Sequence, residues 1–93
     1  MIFEIAPKWT EITATWYDAK LYCFTLNIDG KTGWRLPTKE ELDQIYRSKN
    51  DFVGISYWSS TERDCDAWCQ FMSIGYQTHV TKLDTFRVRA VRG

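Results

Sequence analysis

The stretch Gly33-Trp34-Arg35-Leu36-Pro37-Thr38-Lys39-Glu40-Glu41-Leu42 decides how this chain is read. Pro37 biases Leu36 towards extended backbone, so the chain enters the segment straight. Thr38 then supplies a hydroxyl that caps a helix start, and Glu41, three residues on, stands at the return position of a capping box. Leu42, Ile45 and Tyr46 follow at helical spacing and form one buried stripe, which predicts a helix from Thr38 that stops near Asn50. Trp34 just ahead of the cap is a bulky anchor that locks the loop onto a core.

Towards the N-terminus the same logic recurs. Thr15 caps a first helix with Asp18 at the box position, and Trp16, Ala19, Cys23 and Leu26 share the face that packs on a sheet. Asn27 and Asp29-Gly30 end it, and Gly33 opens the turn into Trp34. Earlier still, Ile2-Phe3-Glu4-Ile5 reads as a short strand ended by Pro7, which has no N–H to give a ladder. Towards the C-terminus the helical period is replaced by short β-type runs: Tyr57 to Ser60, Ala67 to Ile74, Tyr76 to Leu83 and Phe86 to Val91. Gly75 suits the reversal between the second and third. In the closing run, alternation puts Phe86, Val88 and Ala90 on one face and Arg87 and Arg89 on the other. The first and last strands are expected to pair. Helices before strands in so short a chain predict an α+β domain, two helices packed on a twisted, mostly antiparallel sheet.

Ninety-three residues suffice for a single domain, 1–93. Twelve basic and twelve acidic residues give zero formal charge, which excludes the broad positive field of a general nucleic-acid or anionic-lipid binder. No run approaches the roughly 20 apolar residues of a membrane span, and the start lacks the basic and apolar regions of an export signal. Cys23, Cys65 and Cys69 cannot all pair within one chain, so a reducing cytoplasm is the expected setting. The aromatic share of 16%, with five Trp, is high, and some of those rings are expected at the surface.

Three separated blocks resemble one family, the Lcl C-terminal domains: Trp16-Tyr17-Asp18-Ala19-Lys20-Leu21-Tyr22-Cys23, the Gly33 to Leu42 stretch, and Tyr57-Trp58-Ser59-Ser60-Thr61 followed by Ala67-Trp68. The chain then closes with Val88-Arg89-Ala90-Val91-Arg92. The resemblance implies a compact C-type-lectin-like fold, related to that of the formylglycine-generating enzymes. It also implies a departure. Many members pair the helix-one cysteine with one in the final strand, where this chain has Ala90, so Cys23 is expected to be a buried free thiol. The Trp58-Ser59-Ser60-Thr61 block is expected to seat a strand end through hydroxyl-to-backbone bonds.

The sharper chemistries find little to work with. Calcium-dependent sugar binding of the C-type-lectin kind resembles a site built on Glu-Pro-Asn or Gln-Pro-Asp with Trp-Asn-Asp, and none of these triplets occurs; Glu62, Asp64 and Asp66 read as a solvated turn. Cys23, Cys65, Cys69 and His79 have the ligand types of a zinc site, but strand residues four apart lie about 13 Å from each other, so Cys65 and Cys69 need a turn to meet. The copper-binding cysteine pair that the formylglycine-generating resemblance implies has no counterpart after Cys69. Neither a catalytic residue nor a metal or other cofactor is therefore expected. The expectation is a non-enzymatic binding module for a protein partner inside a bacterial cell, such as an accessory or inhibitor protein of a phage or mobile element. A carbohydrate-binding or adhesive module stands second, a lapsed oxidase scaffold third, and nucleic-acid contact through Arg87, Arg89 and Arg92 last. The expected partner-binding residues are Arg63, Tyr76, His79, Arg87 and Arg89, with Tyr76 and His79 at a hairpin tip and Arg63 on a turn at the same end.

Overall fold

Two threonine caps set the helices. In the computed structural model, which describes residues 2–48 and 51–93, the Thr15 hydroxyl accepts the Asp18 N–H at 3.3 Å and starts α1, Trp16–Thr25. Thr38 caps α2, Lys39–Arg47, with both arms of the box closed: its hydroxyl accepts the Glu41 N–H, and the Glu41 carboxylate accepts the Thr38 N–H. The Glu41 carboxylate is also gripped by the fork of Arg35, at 2.7 and 2.9 Å. That bond holds the Glu41 carboxyl below its ordinary range. The predicted stop of the second helix near Asn50 lies outside the described residues.

Five strands form the main sheet in the order β2-β6-β3-β4-β5, where β2 is Ile12–Ala14, β3 Ser56–Arg63, β4 Asp66–Phe71, β5 Tyr76–Thr81 and β6 Phe86–Val88. Among the described residues, only the β3–β6 pair, joined at Tyr57 and Arg87, is parallel. A second, two-stranded ladder pairs β1, Glu4–Ile5, with β7, Val91–Arg92, so the chain ends do meet as expected. Asp29 and Gly30, at φ 52° and 86°, make the two-residue reversal between the bridged Ile28 and Lys31. Gly75 turns the β4–β5 hairpin at φ 76°, and a Cβ there would stand 2.6 Å from the Tyr46 ring.

The sheet separates two cores, because successive residues of a strand face opposite ways. Trp58 packs with Trp16, Ala19 and Cys23 of α1 and with Cys69 and Val88. Its neighbour Tyr57 packs instead with Leu42 and Ile45 of α2, Met72 and Val91. One helix thus covers each face, an α+β arrangement with a mostly antiparallel sheet. Trp34 and Leu36 close the α1 side.

One strand is new and one reading is corrected. Ile12–Ala14, too short a run to show alternation, pairs with β6 as an edge strand. The closing run is not one strand: β6 ends at Val88 and β7 begins at Val91. Between them the Arg89 guanidinium turns inward to donate to the Ala6 carbonyl at 2.6 Å, and the Ala6 N–H donates to the Ala90 carbonyl. Phe86, Val88 and Ala90 do face the α1 core, and Arg87 and Arg89 lie on the other side, where both reach Glu11, but Arg89 is buried there while Arg87 is half exposed.

The Ser59-Ser60-Thr61 segment seats the loop that carries Pro37. The pairing of β3 with β4 shifts register between Trp58 and Glu62, which frees backbone groups for other partners. Ser59 donates its hydroxyl to the Trp68 carbonyl and accepts the Thr61 N–H, while the Ser60 N–H reaches the Pro37 carbonyl. The Thr61 hydroxyl accepts the Lys39 N–H at the start of α2, and the Trp16 indole N–H donates to the Ser59 carbonyl. All three motif blocks therefore meet at this bulge.

Candidate interaction surface

The expected partner-binding residues do not form one patch. Tyr76 is exposed beside the β4–β5 turn, opposite Phe71. His79 lies three positions further along β5, opposite Trp68, and Arg63 lies at the β3–β4 turn, paired with Asp66. The β3–β4 turn sits at the other end of β4 from Tyr76, so the expectation that Arg63, Tyr76 and His79 share one end is corrected. The strand rises about 3.4 Å per residue, which separates Tyr76 from His79 by about 10 Å.

Arg63 and His79 do meet. An Arg63 Nη1–H donates to His79 Nε2 at 3.0 Å, and since a guanidinium only donates, the ring proton sits on Nδ1, which donates to Asp66 at 2.9 Å. The imidazole edge stands against Trp68, 5.1 Å between centroids, and the Lys39 ammonium lies 4.1 Å above the same indole. His79 is thus held on three sides.

Arg89 is 4% exposed and belongs to a buried network. Its fork reaches the Ala6 carbonyl, the Glu11 carboxylate at 2.8 Å and Asp51 at 2.9 Å. Glu11, 5% exposed at its side chain, also accepts the Tyr57 hydroxyl, whose pKa is pushed up to about 12 by burial. The Tyr57 hydroxyl in turn accepts the Gly54 N–H. This network ties the N-terminal segment to β3 and to the β6–β7 junction. Arg87 is half exposed, 3.8 Å from Glu11, at the wall of an open groove of about 510 Å³ shared with Val53, Ile55 and Phe86.

The cysteines stand apart in character. Cys23 and Cys69 are buried free thiols, pushed up by burial to about 12 and about 11, while Cys65 is exposed in the β3–β4 turn. Among the described residues, no three His, Cys, Asp or Glu side chains are grouped to hold a metal ion, and no helix is long and apolar enough to cross a membrane.

One apolar display is hidden by the spacing of the buried face. On α1, Tyr17, Leu21 and Phe24 are 58%, 62% and 81% exposed. Their spacing of four and three makes a continuous stripe on the side away from Trp16, Ala19 and Cys23. Tyr17 is braced edge-on by Trp16 at 5.5 Å, and Lys82 lies over both rings while bonded to Glu62 at 2.6 Å. Phe24 also walls a cleft of about 190 Å³ completed by Lys20, Trp34, Arg35, Leu36 and Ser60. The signal was present in the sequence: α1 carries a second apolar stripe at helical spacing, which one buried face cannot use.

The fold and this surface define a small α+β domain with a sheet clamped between two helices and an apolar helix face left open. The chain belongs to the Lcl C-terminal domain family, whose model matches residues 5–92. No curated protein matches it.

Proposed function

We propose that the domain is a non-enzymatic protein-binding module whose recognition face is the outer stripe of α1. The observation that carries this reading is the exposure of Tyr17, Leu21 and Phe24 on one helix face, where a water-facing helix ordinarily presents polar residues. A helix held at its inner face by Trp16, Ala19 and Cys23 offers those side chains without ordering a loop, which lowers the entropic cost of docking. The cleft beside Phe24 supplies a recess for one anchoring side chain of the partner, and Lys20 marks its rim. Three unpaired thiols support a reducing compartment as its place of work.

The test is a photoreactive leucine analogue in place of Leu21, irradiated in cells. A protein adduct is expected, and Phe24→Asp should abolish it. Leu21→Asp with Phe24→Asp should cost no more than about 2 kcal/mol of stability, the sum of two helix-propensity losses and an acid near the helix C-terminus, and leave the domain folded. No adduct above that formed from an exposed control position, or an adduct indifferent to Phe24→Asp, would overturn the assignment.

A further inference from the structure

The two edges of the main sheet differ. The β2 edge is three residues long, whereas β5 offers six, Tyr76 to Thr81, paired only to β4 among the described residues. Its register against β4 is unbroken from Asp66–Thr81 to Phe71–Tyr76, so no bulge twists it out of reach. The strand Tyr-Gln-Thr-His-Val-Thr contains no proline and no Lys, Arg, Asp or Glu. Edges of monomeric sheets usually carry one of those protections, because a row of unpaired N–H and C=O groups templates another strand. We propose that β5 pairs antiparallel with β5 of a second copy of this chain, joining two five-stranded sheets into one.

Symmetry restricts the register. A two-fold axis perpendicular to the sheet keeps each side chain on its own face, so a residue must oppose either itself or one an even number of positions away. Tyr76, Thr78 and Val80 lie on the α1 side, as their partners Phe71, Cys69 and Ala67 do. Centring the axis on Thr78 sets Thr78 against Thr78, and Tyr76 against Val80 twice over, which are pairings that favour antiparallel strands. On the other face it sets Gln77 against His79. Centring on His79 instead opposes two imidazoles, each bound to an Asp66, and leaves Tyr76 against Lys82 at the strand's end. The uncharged strand brings no like charges together in the Thr78 register, so a second copy fits it without a change of sequence.

Sedimentation equilibrium of the intact protein should show a monomer–dimer equilibrium, and Thr78→Lys, which puts two ammonium groups at the axis, should weaken it about fivefold or more while the far-UV spectrum and melting temperature hold. The register is read by oxidation in a Cys65→Ser, Cys69→Ala background, because Cys69 stands opposite Thr78 in the β4–β5 ladder and would compete within one chain. Thr78→Cys should form a linked dimer with itself. Gln77→Cys should link only when mixed with His79→Cys, since its own copies stand too far apart for a disulfide. A monomer at every concentration, a polymer that grows with concentration, or a Gln77→Cys chain that links to itself as readily as Thr78→Cys would each overturn the proposal.

Discussion

Arg89 shows how a single side chain is assigned by its surroundings. Strand alternation put it on the face of Arg87, and both do reach Glu11, yet the ladder breaks after Val88 and the guanidinium is buried among three acceptors at once, the Ala6 carbonyl, Glu11 and Asp51. Only a planar fork fills that geometry. Removing it strands the Glu11 carboxylate in a place that water barely reaches. Arg89→Ala should therefore cost about 3–5 kcal/mol in urea unfolding, and Arg89→Lys should recover only part of it. Were Arg89 a surface contact residue, Arg89→Ala would unfold at the parent's midpoint. Arg87, two residues earlier and half exposed, should show little effect in the same measurement.

Elements were legible where local chemistry chose them. Both helix starts followed from threonine caps, and the Gly75 reversal followed from a glycine that alone tolerates its φ against the Tyr46 ring. What the period did not reveal was the second use of α1: its inner stripe was read as core, and the outer stripe of Tyr17, Leu21 and Phe24 passed unread because apolar residues are assumed to be buried until a structure leaves them out. The β3 bulge was legible only in part. Hydroxyl-to-backbone bonds were expected at Ser59 to Thr61, but two of them go outside the strand, from Ser59 to the Trp68 carbonyl of β4 and to Thr61 from the Lys39 N–H of α2, while backbone groups of the same segment reach Pro37 and the Trp16 indole of α1. Ser59→Ala removes both bonds of a buried hydroxyl and should cost about 1–3 kcal/mol by thermal melting, more than Thr38→Ala at its half-buried cap, about 1 kcal/mol. The reverse order would mean that the bulge does not join the motif blocks.

At the scale of the whole molecule, the two cores respond together to alkali. Cys23 and Cys69 are held above their ordinary 9.0 at about 12 and about 11, and Tyr57 above its ordinary 10.0 at about 12, all chiefly by burial. In each case the folded chain keeps a proton that the unfolded chain releases. Stability is thus fully present below about pH 9 and falls as pH rises towards about 12. Urea midpoints should decline across that window, and Tyr57→Phe should flatten part of the decline above pH 10. Thiol counting at neutral pH checks the same burial: a soluble disulfide reagent should label Cys65 at once and reach Cys23 and Cys69 only on unfolding. Rapid labelling of all three would show that the core opens freely.

From its residues alone, the chain determined its class, its helix starts, its main turns, its family and the solitary state of Cys23, because caps, glycine conformations and motif blocks act over a few neighbouring positions. Tertiary structure alone decided that Tyr57 and Trp58 serve opposite cores, that Arg89 turns inward, and that Arg63 joins His79 away from Tyr76. It also decided that Tyr17, Leu21 and Phe24 of α1 stay exposed and that β5, among the described residues, pairs only with β4. Those outcomes depend on which distant segment fills a given space, and burial belongs to the assembled chain rather than to any window of it.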